Sequence, residues 1–377
     1  MHLHRFRCLA IFLALSLASS SVLAATSALP RHVLVIVLEN KGFNDTFGPH
    51  SPAPYLSQQL TSQGQLLRQY YGTGHVSLDN YVAMVSGQAP DSDTQSDCQL
   101  YLDFVGAPGL DSNGQAIGQG CVYPADVSTI ANQLEAKGLT WSGYMEDMGN
   151  DTPAQPATCR HPALNSQDTT QSARNGDQYA TRHNPFVYFH SIIDTPSCDA
   201  HDVPLDRLSG HLAHVATTPN LVFVTPNLCH DGHDSPCVDG EPGGLISADA
   251  FLKTWVPRIL ASPAYIKDGL LLIIFDESDF GGSNSDTTAC CGEQSGPNTA
   301  MAGITGPGGG RVGAVALSKF VKPGSVNDNP YNHYALLRSI EDLFGLSHLG
   351  FAGQQGLKSF GTDVFNARRP QSRGSRR

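Results

Sequence analysis

HVLVIVLENKGFNDTFG, residues 32–48, opens with a run that is apolar from Val33 to Leu38 and stops abruptly on Glu39 and Asn40. An unbroken β-branched and leucine run, with no polar alternation, predicts a strand covered on both faces, as in a parallel sheet packed between helices. Residues 220–225, containing LVFV, and residues 270–275, LLLIIF, have the same character. Between them residues 248–260 place Phe251, Leu252, Trp255, Ile259 and Leu260 at helical spacing, which makes the segment a strand–helix–strand unit. Further helices are expected over 53–63, 78–86, 127–137 and 333–344, and strands near 140–144 and 312–317. The predicted fold class is α/β, a mostly parallel central sheet flanked by helices. Gly- and Ser-rich segments at 87–120, 149–177 and 280–310 read as long disulfide-pinned loops that frame a cleft.

Residues 1–24 have a basic start, an apolar stretch and small residues before Ala25, the layout of a secretory signal. The apolar part is broken by serines and is short for a span of roughly 20 residues, so no stable membrane span is expected, and the protein is expected to be secreted or periplasmic. Residues 367–377, ARRPQSRGSRR, read as a disordered basic tail. A net charge of −11 argues against nucleic-acid binding. Outside the leader stand eight cysteines, an even number suited to an oxidising compartment. Sequence neighbours suggest Cys98 with Cys121, Cys159 with Cys198 and Cys229 with Cys237. Spacing does not settle connectivity among eight, and Cys290 and Cys291 could bridge each other or pair elsewhere.

Each apolar strand runs into polar residues at its C-terminal end: Glu39 and Asn40, then residues 227–234, then Asp276 and Glu277. Ligands of open parallel sheets bind at those ends, so these groups are expected to converge. Carboxylates gathered in this way repel, and a divalent cation (Mg, Ca, Mn or Zn) is the simplest compensation. The alternative is that each carboxylate caps a helix or pairs with an arginine. In GHVSLDNYVAMVSGQ, residues 74–88, Ser77 stands at the start of a predicted helix. It is either a cap or a nucleophile assisted by the helix dipole, nearby amides and a metal. No GxSxG elbow surrounds it, which disfavours a serine esterase. In TPNLCHDGHD, residues 225–234, His230, Asp231, His233 and Asp234 follow a strand and suit metal ligation, phosphate binding or protonation of a leaving alkoxide; a solvated turn is the alternative.

These motifs carry a resemblance. ENKGFNDTFG resembles the ENRSFDHYFG-type opening of the phosphoesterase family of secreted acid phosphatases and phosphatidylcholine-type phospholipases C, within the alkaline phosphatase superfamily. GHVSLDNYVAMVSGQ is similar to that family's HPSLPNY-type segment, PNLCHDGHD to its PNxxxDGHD element, FDESDFGG to its DE element and YNHYALLRSIEDLFGL to its closing helix. The resemblance runs from Glu39 to Leu346 and implies an alkaline-phosphatase-like single phosphoesterase domain over residues 25–366. It implies a metal site of Glu39, Asn40, Ser77, Asp276 and Glu277, with Asp231 on the opposite wall, and Ser77 as nucleophile. His230 or His233 would protonate the leaving group. Asn80 would contact the substrate, and His75 and His183 are further candidates for that contact. Asp79 departs from the family, which has proline before this asparagine, and His230 stands where many relatives have a smaller polar residue. The expected activity is a secreted metal-dependent acid phosphatase acting through a phosphoserine on a small phosphate ester. A phosphodiesterase or phospholipase C acting on phospholipid is the alternative, and a non-catalytic metal-dependent binding protein of the periplasm the second.

Overall fold

A computed structural model describes residues 29–151, 156–282 and 284–366. The predicted signal and basic tail lie outside the described residues. The eight strands of the main sheet are, in chain order, β1 His32–Leu38, β2 Gln65–Leu67, β3 Trp141–Met145, β4 Asp202–Pro204, β5 Leu221–Thr225, β6 Gly269–Phe275, β7 Ala314–Ser318 and β8 Ser325–Asn327. They lie in the order β8-β2-β7-β6-β1-β5-β3-β4. The five strands from β6 to β4 are mutually parallel, and β7 runs antiparallel to both its neighbours. The apolar runs read from sequence are therefore the three central strands, with β1 between β6 and β5.

All seven residues of β1 and of β6 are buried. Each such valine, leucine or isoleucine contributes about 1.5–3 kcal/mol on burial, so the middle of the sheet is the stiffest support in the molecule. Register then sets the site. Leu38 pairs with Phe275 at the last rung, so Glu39 and Asp276 leave their strands at the same level. The Asp276 amide donates to the Leu38 carbonyl at 2.9 Å, and the Glu39 amide donates to the carbonyl of Asp231 at 2.8 Å. Three carboxylates thus arrive from three adjacent strand ends.

Four helices matter for the site: α1 Ser77–Ser86, α2 Ile130–Ala136, α3 Gly244–Leu260 and α4 His333–Phe344. Expected and observed bounds differ where capping decides them. The helix expected from 127 starts at Ile130 because Thr129 and Asn132 close a capping box, and the one expected from 248 begins at Gly244. The segment expected as a helix over 53–63 is wound in the wider π form over Tyr55–Leu60. Its first amides, of Tyr55 and Leu56, are held by the Asp249 carboxylate of α3 at 3.2 and 2.9 Å. Strands β2, β4 and β8 are three residues each, too short to show periodicity.

The disulfides are Cys98–Cys121, Cys159–Cys198, Cys229–Cys237 and the vicinal Cys290–Cys291. The glycine-rich stretch ending at Gly310 runs against the loop before α1, with the Gly72 amide donating to the Gly310 carbonyl at 2.9 Å. A Cβ on Gly72 would stand 2.6 Å from the Asp276 carbonyl oxygen, so only glycine lets this loop pass so close to the end of β6. Among the described residues no helix is long and apolar enough to cross a membrane.

Candidate active site

Ser77 is the first residue of α1, and its Oγ donates to Glu39 Oε2 at 2.7 Å. One helical turn later, the hydroxyl of Tyr81 donates to Glu39 Oε1 at 2.5 Å. The i, i+4 spacing puts both hydroxyls on one face of α1, clasping one carboxylate. Burial raises the pKa of Glu39 well above its ordinary range, and the neighbouring Asp276 and Asp231 push it the same way. Asp276 is raised from 3.8 to about 7, chiefly by burial, against hydrogen bonds that include the Asn40 amide at 3.0 Å. Asp231 is raised to about 7 by burial, offset partly by His233.

Asn40 Oδ1, Asp231 Oδ2 and Asp276 Oδ2 are buried with no hydrogen-bond partner among the described residues, as are both ring nitrogens of His183. Buried polar atoms are rarely left this way, and leaving them so costs about 1–3 kcal/mol apiece. An oxygen-rich set of this kind fits a divalent cation. Among the described residues, the only sets of three ligand-type atoms within 4.8 Å of one another are Cys229 with His230 and Glu241, and Cys229 with Cys237 and Asp239. Their sulfurs belong to the Cys229–Cys237 disulfide and offer no thiolate. The carboxylates around Ser77 are more widely spread.

The expected site residues divide into two groups. Glu39, Asn40, Ser77, Asp231, Asp276 and His183 are together. His183 lies between carboxylates, with Nε2 3.5 Å from Glu39 and Nδ1 3.3 Å from Asp231, and its ring stacks on Tyr81. Burial lowers its pKa well below the ordinary value, which favours the neutral imidazole, the form that can hold a cation. His233 stands at the rim, its side chain 38% exposed, with Nδ1 2.8 Å from Asp234.

The second group is engaged elsewhere. Both oxygens of Glu277 are taken, one by the side-chain Nδ2 of Asn40 at 2.7 Å and the other by His75 Nδ1. Glu277 therefore orients Asn40 rather than presenting a free oxygen. His75, expected at the substrate, is fully buried and hydrogen-bonded through both nitrogens, to Glu277 and to the Asp286 carbonyl. Asn80, expected to hold a phosphoryl oxygen, turns inward: Oδ1 accepts from the Thr73 and Gly74 amides, and Nδ2 donates to the Gly74 and Val76 carbonyls. It shapes the loop that delivers Ser77. His230, expected as a proton donor, lies between Glu146 at 2.9 Å and Glu241 at 3.4 Å. These partners outweigh burial and raise its pKa to about 9, too high for ready proton release near neutral pH.

Three residues were missed. Tyr81 was foreseeable from its i+4 relation to Ser77. Arg182, beside His183 in sequence, lies close enough to lower the pKa of Asp231, His183 and His233. Asp97, which accepts from the Leu78 amide at 3.0 Å, gives no local sequence signal.

A family model described as "Phosphoesterase family" matches residues 51–347. The chain is 25% identical over 307 residues, 81% of its own length, to a phosphate-repressible acid phosphatase of Penicillium chrysogenum, and spans 58% of that protein's length. It is 26% identical to a phosphatidylinositol-3-phosphatase of Mycobacterium tuberculosis, covering 92% of this chain and 91% of the relative. A solved structure of an alkaline phosphatase superfamily protein from Vibrio parahaemolyticus superposes with a TM-score of 0.50 at 14% identity, over 90% of this chain and 72% of the other. The fold is that of this superfamily.

Proposed function

Taking as premise that this chain belongs to the phosphoesterase family, we propose that it is a metal-dependent phosphoric ester hydrolase of the acid phosphatase type, working through a phosphoserine at Ser77. The observation that carries this reading is the Ser77 hydroxyl at the start of α1, donating to Glu39 amid buried, unpartnered oxygens of Asn40, Asp231 and Asp276. Glu39, Asn40, Asp231 and Asp276, with Ser77 itself, would hold a divalent cation, which when bound lowers the pKa of the serine hydroxyl and offsets phosphate charge. The proton of Ser77 already points at Glu39, so an oxygen lone pair is free to meet phosphorus. The Ser77 O–P bond forms as the ester P–O bond breaks; Ser77 gives up its proton to Glu39, and His233, fixed through Asp234, gives a proton to the departing oxygen. Water then cleaves the phosphoserine and releases inorganic phosphate. Glu277, His75 and Asn80 position the other groups. The paired cysteines support secretion or export to the periplasm.

A second reading concerns the leaving group. A cleft of about 580 Å³ opens beside Lys41, lined by Pro49, Pro52, Leu245 and Ile246 among others. Ile246 is 52% exposed. An apolar wall there favours amphiphilic monoesters, such as phosphorylated lipid headgroups, a class in keeping with the phosphatidylinositol-3-phosphatase of Mycobacterium tuberculosis.

Turnover of p-nitrophenyl phosphate and bis-p-nitrophenyl phosphate, with and without chelator, tests the proposal. Monoester hydrolysis that chelator abolishes is expected, with loss of about 10³-fold or more in kcat for Ser77→Ala. Faster diester hydrolysis would favour the phosphodiesterase alternative. Turnover of neither ester would favour a binding protein.

A further inference from the structure

The helix that carries Ser77 lacks a cap of its own. Its N-cap residue, Val76, has no side chain able to accept a hydrogen bond, and the Ser77 hydroxyl, one residue inside the helix, is turned to Glu39. The missing acceptor comes from a loop 19 residues downstream: Asp97 Oδ1 takes the Leu78 amide at 3.0 Å. Asp97 is in the left-handed region, φ 54°, and is followed by Cys98, also left-handed and tied to Cys121. The disulfide thus fixes where the carboxylate stands.

The other oxygen of Asp97 faces Arg182, with Oδ2 3.6 Å from Nε. Arg182 Nη1 donates to the Gln171 carbonyl at 3.2 Å, and the Gln171 side chain donates back to the Asp97 carbonyl at 2.9 Å. The ring closes through Asp97, Arg182 and Gln171. Arg182 is nearly fully buried and immediately precedes His183, which lies between Glu39 and Asp231. One small network therefore joins the start of the nucleophile's helix to the wall that bears His183.

We propose that Asp97 and Arg182 are a positioning pair for the nucleophile: Asp97 supplies from a distance the cap that the Ser77 helix lacks, and Arg182 locks that carboxylate in place and ties it to His183. Neither residue touches the reacting atoms. Their function is to hold the Ser77 oxygen in line with the phosphoryl group. This inference rests on the reading of Ser77 as the nucleophile.

The test is steady-state hydrolysis of p-nitrophenyl phosphate by the full chain, with inhibition by inorganic phosphate measured beside it, for wild type, Ser77→Ala, Asp97→Ala, Asp97→Asn, Asp97→Ser, Arg182→Ala and Arg182→Lys. A displaced nucleophile costs on the order of 10²-fold in rate, so Asp97→Ala is expected to lose about that in kcat while KM and phosphate inhibition stay within about threefold. Asp97→Asn keeps an oxygen for the Leu78 amide and is expected to regain most of kcat. Arg182→Ala is expected to lower kcat less than Asp97→Ala does, with Arg182→Lys in between. If Asp97→Ala does not fold, Asp97→Asn against the shorter Asp97→Ser makes the same comparison. A wild-type enzyme that Ser77→Ala silences and Asp97→Ala leaves within twofold would overturn the pair alone. Equal loss in Asp97→Asn and Asp97→Ala at matched thermal stability would also overturn it. A wild type without turnover, or Ser77→Ala with full turnover, would instead overturn the functional reading.

Discussion

Two charged regions of this protein solve the same electrostatic problem in opposite ways. In the loop after β3, Arg160 is almost wholly buried and grips Asp177 with two hydrogen bonds of 2.8 Å, while Arg174 reaches the same carboxylate at 2.6 Å. Burial raises the pKa of Asp177, but the hydrogen bonds and charge of Arg160 win and hold it below its ordinary value. Around Ser77, Glu39, Asp231 and Asp276 face one another with no cationic side chain among the described residues in hydrogen-bond contact, and all three are pushed up. In the first region the carboxylate charge is matched within the chain, although Arg160 Nε has no hydrogen-bond partner among the described residues. In the proposed function the second is completed from outside by a cation, as a binding site is and a structural ion-pair network is not.

The two regions should part most sharply at Arg160. Arg160→Ala leaves Asp177 buried without its main partner and is expected to destabilise the fold by about 3–5 kcal/mol. Surviving folded protein should keep kcat within about threefold, as denaturant unfolding and turnover on the same preparation would reveal. A large loss of kcat in well-folded protein would mean that the two regions are not separate.

A smaller effect separates the two histidines of the HDGHD turn. His233→Asn is expected to lower kcat by about 10²-fold, the low end for a general acid. The loss should be greater with phenyl phosphate than with p-nitrophenyl phosphate, because the poorer leaving group needs the proton more. His230→Asn is expected to change kcat by less than about threefold, since Glu146 and Glu241 already occupy that ring. The reverse ranking would return His230 to the catalytic role that the motif suggests.

The smallest effect is on pH dependence, and its sign differs between the regions. Asp177 has a folded pKa below 3.8, so the stability it contributes is present above that value and lost as pH falls through its folded pKa. Asp276, at about 7 in the folded chain, keeps a proton that the unfolded chain releases from about 3.8 upward. Metal-free protein should therefore lose stability as pH rises from about 4 to 7, and Asp276→Asn should flatten that decline. Thermal melts of chelated protein across this range would show whether the slope exists.

The central sheet was legible because its three middle strands are buried on both faces and leave unbroken apolar runs. Register does the rest, since in-phase strands ending on Glu39 and Asp276 must bring those residues level. What the motifs could not tell was which of their residues face the ligand. Asn80 and Ser77 lie one helical turn apart, yet Asn80 is consumed by the Thr73–Gly74 amides. Glu277 follows Asp276 and points the other way, to His75 and Asn40, whose positions in sequence lie more than 200 residues earlier. His230 and His233 flank the same turn and differ only because Glu146 and Glu241 fold onto one of them. Such partners are set by tertiary packing, as is the Asp97 cap, and no local pattern encodes them.

The central claim is that the unpaired carboxylates beside Ser77 form a cation site. Its most direct test is the melting temperature of chelated protein at pH 8, titrated with Mg, Ca, Mn and Zn ions, for wild type and Asp276→Asn. At least one of these ions is expected to raise the wild-type midpoint in a saturable way and to leave Asp276→Asn nearly unmoved. Equal stabilisation of both proteins, or of neither, would contradict the account.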